Sequence, residues 1–139
     1  MDILVLIGRI LFSALFIASA LGHLTQTRAM AGYAAAKGVP QAYAATLGSG
    51  VLILVGGLSV LLGIWADLGA LLLVIFLVST AVLMHAFWKE TDPQARQLDM
   101  IQFQKDIGLA GAALMLFALI SFAGDALGLT ITGPLFNIS

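Results

Sequence analysis

Hydrophobic and polar positions divide this chain into four long apolar runs, at about residues 3–22, 43–65, 68–88 and 104–123, separated by shorter polar stretches. A helix rising about 1.5 Å per residue needs roughly 20 apolar residues to cross about 30 Å of hydrocarbon, so each run predicts one membrane-spanning helix. After the first run the stretch HLTQTRAMAGYAAAKGVP is more polar. Thr27 is placed there to cap a short Ala-rich interfacial helix that stops near Gly38 and Pro40. Ala66 and Asp67 read as a two-residue link, which forces the second and third spans into an antiparallel hairpin. The run KETDPQARQLD reads as a solvated loop. The tail from Gly124 to Ser139, interrupted by Gly and Pro134, is too short for a fifth span and is expected at the interface. The expected fold is all-α: a polytopic membrane protein forming a four-transmembrane-helix bundle, with a short interfacial helix between helices 1 and 2.

Composition sharpens this picture. The 139 residues are 61% hydrophobic and 9% charged, with mean hydropathy +1.09, so lipid is the expected solvent and one transmembrane domain the expected organisation. A formal net charge of −1 gives no basic footprint for nucleic acid. The chain has no Cys, which excludes thiol nucleophiles, disulfide relays and Cys-ligated clusters or metals. The chain enters hydrocarbon directly after Met1-Asp2 without a basic leader, so the first span is expected to remain as a helix.

Lys and Arg distribution gives an orientation. Arg28 and Lys37 lie in the first connection, Lys89 and Arg96 in the third, and Lys105 close by, whereas the second connection and the C-terminus have none. The positive-inside rule places connections 1–2 and 3–4 in the cytoplasm and both termini on the opposite side, with the bacterial inner membrane as the expected location. Arg9 argues mildly the other way. Small residues mark expected packing faces: Gly50 with Gly57 and Gly56 with Gly63 at seven-residue spacing in the second span, and Gly108 and Gly111 in the fourth.

The few polar residues at membrane depth are the candidates for chemistry. Arg9 lies about 9 Å inside the first helix. It either snorkels to Asp2 or lipid phosphate, or faces inward and holds a polar site. His85 near the end of the third span and Gln102, Lys105 and Asp106 at the start of the fourth share a depth. Gln102 and Asp106 are four apart on one helix face, which is able to meet His85, while Lys105 points about 100° away from Asp106. The bland reading of His85 is an interfacial imidazole bonded to a carbonyl or water. Asp106 as a lone charge at that depth needs a partner or a proton, unless it simply favours the helix N-terminus. Metal ligation is disfavoured: His23, His85 and Asp106 are the only ligand candidates, with no HxxxH or ExxH spacing, so no metal is expected. There is no phosphate-binding loop, and the hydroxyls within helices are expected to bond back to the preceding turn.

The motifs IGRILFSALFIASALGHL, AGYAAAKGVP, GGLSVLLGI, LMHAFW and IQFQKDIGLAGAALML, in this order, resemble the DoxX family of small four-helix bacterial membrane proteins. Arg9, His85 and Lys105 fall where the family commonly has the same residue types. Members often carry a Glu a few residues before the paired Gly of the second span, where this chain has Val51, Leu52 and Ile53, and an Asn after the fourth-span Lys, where it has Asp106. Relocation of the counter-charge is then one hypothesis, with Arg9, Lys105 or a proton each able to relieve Asp106, although Arg9 lies nearer the other side of the membrane. The resemblance implies a membrane protein linked in some relatives to thiosulfate oxidation with quinone reduction and in others to oxidative-stress complexes.

The leading functional expectation is a non-catalytic accessory or scaffold subunit of a membrane complex, without autonomous enzyme activity, packed against lipid and either a membrane-protein partner or further copies of itself. No cofactor motif is evident. The alternative is a quinone or other lipophile site using His85 and Asp106 near the cytoplasmic interface. A small transporter is the third class, and the chain lacks the repeated halves that would favour it.

Overall fold

The computed structural model describes residues 1–138, and every regular element in them is helical. They are α1 (Asp2–Thr25), α2 (Thr27–Ala36), α3 (Ala42–Leu62), α4 (Ala66–Met84) and α5 (Pro93–Ala123), with single 3-10 turns at Phe87–Lys89 and Gly124–Ala126. Four of these helices, α1, α3, α4 and α5, have the length and apolarity to cross a membrane. Large apolar side chains such as Leu11, Ile75, Met115 and Phe122 stand exposed on the outside of the bundle. In water such a surface would drive aggregation; in lipid it costs nothing.

α1 packs on α3, α3 on α4, and α4 on α5, while α2 lies across α3. The core that joins them includes Phe16, Ile53, Val60, Leu73, Leu77 and Ala110. Gly50 and Gly57 let α1 approach α3: a Cβ on Gly50 would stand 2.7 Å from the His23 Cβ, and one on Gly57 would stand 3.2 Å from Ile17. Gly56 faces α4 instead, where its Cβ would meet Leu73 at 3.0 Å. Gly108 and Gly111, expected at a packing face, meet nothing within 4 Å among the described residues. Their side of α5 is left to lipid or to another chain.

Three boundaries differ from the expectation. α3 stops at Leu62 because Gly63 adopts the left-handed conformation (φ 68°), its N–H and that of Ile64 both donating to Ser59 O, a Schellman-type end that suits Gly. The link is therefore Gly63–Trp65, and Asp67 belongs to the first turn of α4, where it is fully buried. The run KETDPQARQLD is not a loop throughout. Asp92 accepts from the Ala95 N–H at 2.9 Å with Pro93 in the first turn, a start signal that begins α5 some ten residues before its apolar body. At α2, Thr27 does not cap the helix; its hydroxyl donates to His23 O at 2.6 Å and so bonds back to α1.

The tail folds back over the end of the bundle where α3 stops and α4 starts. The N–H groups of Ile131 and Thr132 donate to Gly63 O at 3.0 and 2.9 Å, and those of Leu135 and Phe136 donate to the Asp67 carboxylate at 3.0 and 2.7 Å. Leu127 adds an apolar anchor against Ala66 and Ile120. A non-helical segment at this depth must place its backbone donors on protein acceptors, and Asp67 with the α3 terminus supplies them.

Arg9 belongs to the same end. It is 1% exposed, and its Nε, Nη2 and Nη1 donate to the carbonyls of Val60 (2.7 Å), Leu61 (2.8 Å) and Leu129 (2.8 Å). The guanidinium does not snorkel. It satisfies carbonyls that the α3 terminus leaves without helical partners, next to the negative end of the helix dipole, and ties the tail to them.

Candidate functional site

At the opposite end of the bundle, α1 and α5 do not close on each other. A cavity of about 650 Å³ lies there, walled by α1, α3, α4 and α5 and bordered by α2. The volume suits a small organic molecule. Its apolar wall includes Phe16, Phe76, Leu77, Leu83 and Leu109. Polar groups gather at two places on it, around His23 and around His85.

His23 reaches the site because Gly50 admits α1 against α3. Its Nδ1 lies 3.2 Å from Thr46 O and 3.0 Å from Ser49 Oγ, and the Ser49 hydroxyl itself donates to Thr46 O at 3.0 Å. A carbonyl only accepts, so the contact with Thr46 O is a hydrogen bond when Nδ1 carries the hydrogen. Phe76 packs edge-on against the ring, 6.0 Å between centroids. The sequence marked His23 only as a metal-ligand candidate, since nothing local shows which face of α1 meets α3.

His85 terminates α4 and stands between two carboxylates of α5. Its Nδ1 lies 3.4 Å from Asp99 Oδ1, and its Nε2 lies 3.8 Å from Asp106 Oδ2. Asp99 and Asp106 are seven residues apart, two turns of one helix face, which lets a single imidazole bridge them. Asp106 Oδ2 is buried with no hydrogen-bond partner among the described residues. Gln102 and Lys105 also line the cavity. The structure thus brings His85, Gln102, Lys105 and Asp106 to one site, and leaves Arg9 at the other end of the bundle. Arg9 bonds at the α3 terminus and Asp106 sits beside the α4 terminus. The 19 residues of α4 separate those levels by roughly 28 Å, so Asp106 is not the counter-charge of Arg9.

Asp99 was missed because it falls in the hydrophilic run read as a loop. Once the Asp92-Pro93 start is recognised, Asp99 lies on the face of α5 that carries Asp106. Lys37, at the C-terminal end of α2, donates to Asp99 Oδ2 at 2.6 Å and to Glu90 Oε1 at 2.8 Å. The hydrogen bonds to Asp99 and then to Glu90 hold the Lys37 ammonium well above the usual lysine range. This ion cluster ties α2 to α5 at the cavity's polar end. Among the described residues no three His, Asp or Glu side chains converge as a metal site.

The arrangement offers an apolar chamber with an imidazole on α1 and an imidazole–carboxylate pair between α4 and α5. Comparison with known proteins gives no match among curated proteins or solved structures. The DoxX family model matches residues 4–86, which takes in α1 to α4 with Arg9, His23 and His85 and leaves Asp99 and Asp106 beyond its end. A match over more than half of the sequence, on four of the five helices of a multi-pass membrane bundle, makes this chain a member of the DoxX family.

Proposed function

We propose that this protein binds a lipophilic small molecule of the quinone class in the cavity between α1 and α5, as a binding subunit of a membrane redox complex in the bacterial inner membrane. The observation that carries the reading is the pairing of an apolar chamber of about 650 Å³ with polar groups from three helices, His23 on α1 and His85 with Asp106 between α4 and α5. A quinone ring needs apolar walls for its body and hydrogen-bonding groups for its oxygens, and this chamber supplies both. Arg28, Lys37, Lys89, Arg96 and Lys105 all belong to this end, which supports a cytoplasmic position for the cavity.

The test is a binding titration of purified protein in nanodiscs with a benzoquinone carrying one isoprene unit. Leu109→Trp, which fills the chamber, is expected to abolish binding. His23→Ala is expected to weaken it about tenfold, the value of roughly one hydrogen bond of 1–1.5 kcal/mol. Absence of binding by the parent protein, or binding unaffected by both substitutions, overturns the reading.

A second reading, an accessory or scaffold subunit, is favoured by one separate observation. The Gly108 and Gly111 side of α5 has open space where Cβ atoms would stand, as a helix prepared for close approach by a partner would. The two readings are compatible, since they use different faces of α5.

A further inference from the structure

The contacts of His85 raise a question of proton count. Asp99 is bound on one oxygen by Lys37 and presents the other to His85 Nδ1. A carboxylate only accepts, so Nδ1 is the donor of that pair. A neutral imidazole then has a bare lone pair on Nε2. Nε2 faces Asp106 Oδ2 at 3.8 Å, and that oxygen is also an acceptor when ionised, buried and without another protein partner among the described residues. Two bare acceptors facing each other at the wall of an apolar chamber are unfavourable. One proton, on either atom, turns the repulsion into attraction.

We infer that His85 and Asp106 hold a single exchangeable proton between them, and that moving it lets the cavity accept both the carbonyl and the hydroxyl form of one quinone-class ring. With the proton on His85, Nε2–H, which at 3.8 Å from Oδ2 is not spent on that oxygen, donates to a ligand carbonyl. With the proton on Asp106, the O–H turns to Nε2 and the other carboxyl oxygen accepts from a ligand hydroxyl. The proton moves within the pair; no electron is transferred and no bond to carbon changes.

Other charged and polar groups face the pair from the elements packed around it. Lys105 adjoins Asp106 on α5, Lys37 and Glu90 act through Asp99, Lys89 follows on the turn after α4, and His23 and Tyr33 line the same chamber from α1 and α2. From α3 the polar lining groups are the neutral Thr46 and Ser49. Asp99 is a positioning residue: it fixes the imidazole so that Nε2 is the atom offered to Asp106.

This role rests on the cavity reading, and the experiment separates the two. In ligand-free nanodiscs, the infrared difference spectrum between acid and alkaline pH is expected to show a protonated-carboxyl change coupled to an imidazole change. Asp106→Asn should remove the carboxyl component, and His85→Gln should shift it. A spectrum unchanged by both substitutions overturns the pair. Binding is then measured for the one-isoprene benzoquinone and its hydroquinone. The parent protein should bind both within about tenfold. In Asp106→Leu the shared proton has no second site and Nε2 is left as an acceptor only, so the hydroquinone should be favoured by at least about tenfold. An unchanged preference overturns the two-form role. If the parent binds neither ring while the infrared signal follows Asp106, the cavity reading and the two-form role fall and the proton pair stands.

Discussion

Lys37 Nζ lies 2.6 Å from Asp99 Oδ2, joining the end of α2 to the second turn of α5 across 62 residues of sequence. The contact has two effects. It neutralises a carboxylate that is 6% exposed, and it holds the helix bordering the cavity against the helix that carries Asp106. Glu90 shares the ammonium and belongs to the connection between α4 and α5, so three parts of the chain meet in one ion cluster.

Replacing Lys37 by Met is expected to destabilise the protein by about 1–3 kcal/mol, because it leaves Asp99 buried without its cation. Hydrogen exchange of α2 amides should rise before that of α3. The pH dependence follows from the direction of the Lys37 shift. Its folded value is raised, so the stabilisation is fully present below the ordinary lysine value and is lost as pH climbs beyond it towards the raised one. Protection of α2 should therefore stay level through neutral and mildly alkaline pH and fall only in strong alkali, and Lys37→Met should remove that alkaline step.

Arg9→Leu removes all three donors to Val60, Leu61 and Leu129 and is expected to release the tail, seen as proteolysis after Gly124 in mild detergent. Arg9→Lys should recover only part of the protection, since one ammonium does not reproduce the three-directional guanidinium geometry. Quinone binding should change little in Arg9→Lys.

Because Arg9 and Asp106 sit at opposite ends of the bundle, the stability effects of Arg9→Gln and Asp106→Asn should add to within about 0.5 kcal/mol in a double-mutant cycle. A coupling above about 1 kcal/mol would show that the two charges are paired after all.

The glycines separate packing inside the chain from packing outside it. Gly50→Val is expected to push α1 from α3, lowering thermal stability and weakening ligand binding through His23. Gly108→Val should leave the isolated protein's stability unchanged, since open space surrounds that position. Loss of a co-purifying membrane protein, or of an oligomer, in Gly108→Val alone would support the scaffold reading; co-purification unaffected by Gly108→Val and Gly111→Val together would sink it.

The sequence by itself determined the number of spans, the short helix after the first, the antiparallel hairpin and the membrane as solvent. Length and hydropathy decide these locally, because a single apolar segment crossing lipid satisfies its own backbone only as a helix. It also placed His85, Gln102, Lys105 and Asp106 at one depth, a matter of counting residues from helix ends. Tertiary structure decided what each polar group faces. Arg9 was legible as a buried charge but not as the donor to the α3 terminus and the tail, and Asp67 read as a link residue although it anchors that tail. Asp99 and His23 became site residues only when the α5 start and the Gly50 approach set helix rotation and separation. These are properties of packing between segments distant in sequence, and no local pattern of polar and apolar positions encodes which helix stands opposite.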